Sequence, residues 1–257
     1  RNVPGGRRKD GGRIMPKETL TEAIAVAESE QSQASTKASP LEWVAENGIF
    51  VFTALLILAS VVFVDGFASL VNITDVFHRA APIGIVAVGM TFVVISGNYL
   101  DLSVVAQVAT SAVILIAVSN EYGLPLAMLA ALLAAATFGV VNGVAVGYFK
   151  ANAVIVTLST TYIGLGLLRY FSGGSIFFGP QDGVIREFGL GKLGPVPYSA
   201  VVLLIMTVVL GFVLNRTNFG FLVRSFGVNE RATRLSGTNT AAVVIGAFLV
   251  TAVAAMV

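Results

Sequence analysis

From residue 49 onward the chain alternates between long apolar runs and short polar breaks. The runs cover about Ile49–Val64, Ala80–Ser96, Leu102–Ser119, Leu124–Tyr148, Ala153–Phe171 and Tyr198–Leu214, and a seventh starts near Ala241. Several approach the roughly 20 residues that carry a helix across a bilayer. Barrel strands would be about ten residues long and alternate in polarity, which these runs do not. The pattern predicts an all-α polytopic membrane protein with about seven transmembrane helices. Runs of only 16 to 18 residues predict tilt or broken helices. Pro82 and Pro125 open their runs, where a missing N–H costs little. The chain stops inside the seventh run, so it reads as C-terminally truncated, with more membrane helices expected past Val257.

The segment before the first run reads differently. Residues 1–48 are polar and predict a disordered cytoplasmic arm, with a short amphipathic helix around Leu20–Ala27. Residues 1–14 precede Met15, resemble no ordered element and are read as not native. Trp43 suits a membrane interface just ahead of the first span. The remainder, 49–257, reads as one incomplete transmembrane domain.

Composition narrows the function. Of the 257 residues 56% are hydrophobic and 12% charged, about half the charge of a soluble domain. The net charge of +2 is too small to suggest a nucleic-acid partner. With no cysteine and one histidine, disulfides, thiolate chemistry and a Cys- or His-cluster metal site are excluded. His78 alone is an interfacial side chain or, much more weakly, a metal or proton-relay group.

Charge placement sets an orientation. With the N-terminus in the cytoplasm, 12 of the 16 Lys and Arg residues fall inside, and Arg79, Arg169, Arg186 and Lys192 fall outside. Without residues 1–14 the inside excess is 7 against 4, still in the direction of the positive-inside rule. The 215–240 loop carries Arg216, Arg224, Arg231 and Arg234 against Glu230 alone, which places it in the cytoplasm.

That loop holds the most informative stretch, 217–237. Asn229 suits an N-cap. Glu230 and Arg234 suit the positive and negative ends of a short helix. Gly237 can take the left-handed conformation that ends it. Ala232 and Leu235 share a face. A two-turn helix of this kind is too short to be stable alone. It is either an ordinary basic loop with a capped turn, or an element that gains stability in a partner's groove.

Inside the spans, Asp101 stands at a run's edge. It either N-caps a helix starting at Leu102 or contacts a solute, since Asn98, Asp101 and Ser103 together supply donors and acceptors. Gly139, Gly143 and Gly147 make a small-residue face for close helix packing, or line a path with Asn142. Thr157, Ser159, Thr160 and Thr161 form a hydroxyl cluster that either satisfies carbonyls or faces a solute. The 172–198 loop, with Gly173, Gly174, Phe177 and Phe178, is a landing site for an external protein, a re-entrant segment or a linker.

These motifs resemble a known family. Thr217, Gly220, Gly227-Val228-Asn229, Ala232 and Arg234-Leu235-Ser236-Gly237 are similar to the cytoplasmic loop of ribose-type permease subunits of ATP-binding-cassette carbohydrate importers. Gly97 to Val104 resembles that family's Gly-Gly-Ile-Asp-Leu-Ser-Val-Gly segment. Asn142-Gly143, Val154 to Thr160 and Ser172-Gly173-Gly174 resemble its central helices. The likeness runs over about residues 70–257. It departs at Val105, where the family has Gly, at Ala153, where it has Pro, and at Leu165, where it has Arg. Those changes bear on substrate more than on subunit class.

The resemblance implies a permease subunit that imports a monosaccharide or related small polar solute across a bacterial inner membrane. A permease for branched-chain amino acids or another small metabolite is the alternative. It implies three partners: a cytoplasmic ATPase, a second permease copy of the same or another chain, and an external solute-binding protein. Asn229, Glu230, Arg231, Ala232, Arg234, Leu235, Ser236 and Gly237 would couple to the ATPase, and Asn98, Asp101, Ser103, Asn142 and Thr157 would lie on the solute path. The chain has no Gly-x-x-x-x-Gly-Lys-Ser/Thr loop, so it is expected to hold no cofactor, to bind no ATP itself and to be no enzyme. An ATP-independent carrier or channel would instead call for paired intramembrane charges, which the runs lack. A purely structural membrane scaffold is the third class.

Overall fold

The computed structural model describes residues 46–97, 99–175 and 183–257. It divides into two units, 1–65 and 66–257. The polar arm 1–45, Asn98 and the aromatic tip 176–182 of the long loop lie outside the described residues. In the first unit, helix α1 (Gly48–Phe63) is apolar along its length and buries none of its residues.

The second unit is helical almost throughout. Its long helices are α2 (Leu70–Ile95), α3 (Val104–Tyr122), α4 (Leu124–Gly147), α5 (Ala153–Ser172) and α7 (Tyr198–Arg216). These five are long and apolar enough to cross a membrane, and α1 and α10 (Thr240–Met256) are shorter apolar helices. Between α5 and α7 stand the short α6 (Val184–Leu190) and a two-residue antiparallel pair, β1 (Lys192–Leu193) with β2 (Val196–Pro197). Helices α8 (Asn218–Val228) and α9 (Glu230–Leu235) join α7 to α10. The all-α polytopic architecture read from the sequence is thus the observed one.

Side-chain caps punctuate the chain. Ser69, Asn152, Thr217, Asn229 and Asn239 each accept the N–H three residues on, at the starts of α2, α5, α8, α9 and α10. Each such cap stabilises its helix by about 1 kcal/mol.

Three expectations need correction. Helix α2 begins at Leu70 rather than Ala80, because Asn72, Asp75, His78 and Arg79 interrupt the apolar run without interrupting the backbone. Asn72 Nδ2 donates to the Phe67 carbonyl (2.7 Å) and His78 Nδ1 meets Ser199 Oγ on α7 (3.1 Å), so these two find partners beside the helix. Helix α3 begins at Val104, not Leu102, with Ser103 in the N-cap position. Residues 218–228, read as part of a polar loop, form the amphipathic helix α8, whose Gly220, Val223 and Phe226 are buried at every third position.

Helix α10 occupies the centre of the second unit. It buries Val243, Val244, Ala247, Phe248, Thr251 and Ala252 between α2 and α4. The approach to α4 is close because Gly139, Gly143 and Gly147 carry no side chain. A Cβ on Gly143 would lie 2.6 Å from the Ile245 Cα, and one on Gly147 would lie 2.9 Å from the Ala241 carbonyl oxygen. In lipid, where apolar surface gains nothing from self-association, such backbone proximity is what van der Waals attraction needs. Thr251 Oγ1 adds a bond to the Gly89 carbonyl of α2 (3.1 Å).

Chain direction alternates, so one end of this bundle gathers the C-termini of α2, α4 and α7 with the starts of α3, α5 and α10. Lys150, the segment 97–101 and helices α8 and α9 belong to that end. The 173–197 connection belongs to the other.

Candidate functional site

Two constellations sit at the α8–α9 end. The outer one is built on α9. Asn229 Oδ1 accepts the Ala232 N–H (2.9 Å). The Ser236 N–H closes on the Ala232 carbonyl and the Gly237 N–H on the Arg234 carbonyl, with Gly237 at φ 85°. Glu230 opens the helix and Arg234 lies in its last turn, the signs that match the dipole. Leu235 is 81% exposed and Val228 is 88% exposed. Replacing Asn229 by alanine is expected to weaken α9 by about 1 kcal/mol, read as faster amide exchange at Ala232.

The base of this element is fixed to the bundle. On α8, Phe226 and Val223 enter the core beside Phe92, Val146 and Phe248. Phe219 stacks on Phe92 of α2 (centroids 6.0 Å apart). Gly227 lies against the backbone of Ile95, at the end of α2. Lys150 Nζ contacts Glu230 Oε1 (2.6 Å) and stands 5.7 Å from the Phe226 ring. Both charged groups are nearly half exposed, so the pair is worth about 0–1 kcal/mol and orients more than it stabilises. Lys150 reaches it from a backbone at φ 55°, a conformation uncommon outside glycine. The sequence marked Lys150 only as one more inside charge.

The inner constellation joins α3, α4 and α5. Asp101 is fully buried. Its Oδ1 accepts from the Ser103 N–H (2.9 Å) and Ser103 Oγ, and its Oδ2 accepts from Gln107 Nε2 (3.1 Å). Ser103 Oγ in turn accepts from Gln107 Nε2 (2.6 Å) and Asn142 Nδ2 (2.7 Å). That uses its one proton and both lone pairs. Asn142 Oδ1 accepts from Thr160 Oγ1 (2.9 Å). Thr157 Oγ1 accepts the Leu102 N–H (3.1 Å), and Thr161 Oγ1 donates to the Leu102 carbonyl (2.9 Å). The non-helical residues between α2 and α3 are thereby held to α5 by side-chain hydroxyls, a device that spares exposed backbone inside a bundle.

Of the residues read as a solute path, Asp101, Ser103, Asn142 and Thr157 thus meet in one buried network, and Asn98 lies outside the described residues. Asp101 takes the Ser103 N–H two residues on, an Asx turn just ahead of the helix rather than a cap on a helix starting at Leu102. Gln107 was not singled out from the sequence. Its signal was a lone glutamine inside an apolar run, six residues after Asp101. A cleft of about 510 Å³ adjoins the network, bounded by Gly97, Tyr99, Leu100, Lys150 and Ala151 to Val154.

The family model described as branched-chain amino acid transport system / permease component matches residues 72–257. The chain is 31% identical to the galactofuranose transporter permease protein of Escherichia coli, over 71% of this chain and 53% of that one. It is 32% identical to the L-arabinose transport system permease protein of Escherichia coli, over 75% of this chain and 58% of that one. To the ribose import permease protein of Haemophilus influenzae it is 31% identical, over 77% of this chain and 63% of that one. The chain therefore spans between about half and two thirds of the length of these relatives. No solved structure matches it. With its motifs in order across the matched region, this multi-pass membrane chain belongs to the family of transport-system permease components and is similar within it to the ribose-type sugar permeases.

Proposed function

We propose that the protein of which this chain is part imports a monosaccharide or related small polar solute across a bacterial inner membrane, driven by a separate ATPase. The observation that carries this reading is helix α9. It is a capped six-residue helix with an exposed leucine and flanking arginines, on a base locked into the bundle. Alone it would be too short to persist. Seated in a groove of an ATPase, it would pass the movement of that groove to α2, α4 and α10 through α8 and the Lys150–Glu230 contact. Asn229, Glu230, Arg231, Ala232, Arg234, Leu235, Ser236 and Gly237 make up this coupling element.

The remaining parts follow. The α8–α9 end faces the cytoplasm and so does the N-terminus, as the basic residues of the 215–240 segment favour. A solute-binding protein delivers its cargo at the opposite end. Helix α7 buries no residue, and its apolar surface meets lipid or a second permease copy. Asn98, Asp101, Ser103, Asn142 and Thr157 lie on the solute path. The named sugars of the relatives favour a sugar over an amino acid, although the family's description names branched-chain amino acids.

The test is reconstitution of the full-length permease with its ATPase and binding protein. The charge reversal Arg234→Glu combined with Leu235→Asp is expected to abolish ATPase co-purification and to lower ATP-dependent uptake of labelled sugar at least tenfold. Unchanged assembly and transport would refute the coupling role. Uptake of leucine but of no sugar would replace the cargo.

A further inference from the structure

Three polar atoms on α3 have no hydrogen-bond partner: Gln107 Oε1, Thr110 Oγ1 and Ser111 Oγ. Their spacing of three and four residues puts them on one side of the helix. Gln107 is 0% exposed and Ser111 2% exposed. The orientation of the Gln107 amide is set by its surroundings. Its Nε2 serves Asp101 and Ser103, and turning the amide over would put its oxygen against a carboxylate. The orphan is therefore the acceptor.

The two hydroxyls are unusual in the same way. Elsewhere in the helices, Thr91, Thr137, Ser159 and Thr207 return their protons to the carbonyl four residues back. Thr110 and Ser111 do not. Unmet polar groups in a bilayer-spanning helix are costly, since neither water nor lipid supplies a partner there. Several on one face, continuing the stripe that begins at Ser103, mark a surface built for something else to complete.

We infer that Gln107, Thr110 and Ser111 form a specificity-determining face that hydrogen-bonds the hydroxyl groups of a neutral polyhydroxylated solute during its passage. This rests on the importer reading above and extends it to residues outside the path proposed there. The chemistry chooses the solute class. One acceptor and two hydroxyls, spread over about 6 Å of helix rise, suit a sugar, whose every hydroxyl donates and accepts. No basic group stands among them to pair with an amino acid's carboxylate. Asp101, the nearby acid, already takes three donors and has little left for an ammonium group. Of the three residues only Thr110 borders a groove, one of about 450 Å³ between α3, α4 and α5 whose lining is otherwise almost wholly apolar, with Phe138, Gly164 and Phe171 on its walls; Gln107 and Ser111 are closed off in this conformation and would meet a solute only when the helices part.

The experiment uses the full-length permease reconstituted with its ATPase and binding protein, with labelled ribose, arabinose and leucine as probes. The double variant Thr110→Val/Ser111→Ala removes two orphaned hydroxyls and breaks no bond. Sugar uptake is expected to fall about tenfold while Tm and ATPase co-purification hold or rise. Gln107→Leu serves as a second variant, lowering uptake further at some cost in Tm through Asp101. Undiminished sugar uptake in the double variant overturns the inference, as does a loss of uptake that only follows a fall in Tm. A wild-type assembly that carries leucine and no sugar refutes the importer reading itself, which is seen before any variant is made.

Discussion

Replacing Gly227 by alanine is expected to pull α8 off the end of α2 and to disable the permease. A Cβ at 227 would fall inside the van der Waals surface of the Ile95 carbonyl oxygen. That neighbour is backbone, in the last turn of a 26-residue helix, and cannot rotate aside as a side chain could. Overpacking a core costs about 1–3 kcal/mol where side chains can give way, and here one backbone must move from another, so the cost falls at or above the top of that range. Phe226 and Val223 would leave the core with the displaced helix, and Glu230 would lose its place beside Lys150. The expected readouts are a large drop in Tm of the purified protein and loss of ATPase co-purification. Gly166→Ala is the control. Nothing lies within 4 Å of a Cβ there, and inside a helix alanine is favoured over glycine by about 1 kcal/mol. If Gly227→Ala behaved like Gly166→Ala, the tight joint between α8 and α2 would be disproved.

The second large effect is at Asp101. Asp101→Ala removes both acceptors and leaves the Ser103 N–H, the Ser103 hydroxyl and one Gln107 N–H unmet in the interior. Each unmet group costs about 1–3 kcal/mol, and three are left here. Loss of the fold, or a purified protein of much lower Tm, is the expected result. Asp101→Asn is expected to lie in between. It keeps one acceptor for Ser103 but sets an NH2 group against the Gln107 NH2. A Tm for Asp101→Ala equal to that of the wild type would show that the network does not hold α3 to its neighbours. Thr157→Val separates the two layers: it removes the partner of the Leu102 N–H on α5, keeps the Thr161 bond to the Leu102 carbonyl and leaves Asp101 satisfied.

The spans were legible because burial in lipid selects residues by transfer free energy, which each residue carries with it. Runs such as Leu124–Tyr148 therefore appeared nearly at their observed limits. Where polar residues enter a helix, that signal misleads. Asn72, Asp75, His78 and Arg79 hid the first ten residues of α2. Arg224 and the neighbouring polar residues hid α8, although Gly220, Val223 and Phe226 carried its period. The caps were legible too. Asn229 and Gly237 act within three residues of themselves, and both stand where local chemistry placed them.

The pairings were not legible. Asp101, Asn142 and Thr160 are each plausible alone as caps, packing residues or path residues, and nothing local distinguishes these roles. Asn142 joins Ser103 and Thr160, positions 39 and 18 residues away from it. The Lys150–Glu230 contact spans 80 residues. By itself the sequence determined the apolar helices, the caps of α9 and the basic character of one end, because these depend on side-chain hydropathy, capping and charge read within a few residues. Only the tertiary structure decided which polar groups are satisfied and which are left open on α3, because a hydrogen bond depends on where two distant segments stand relative to each other.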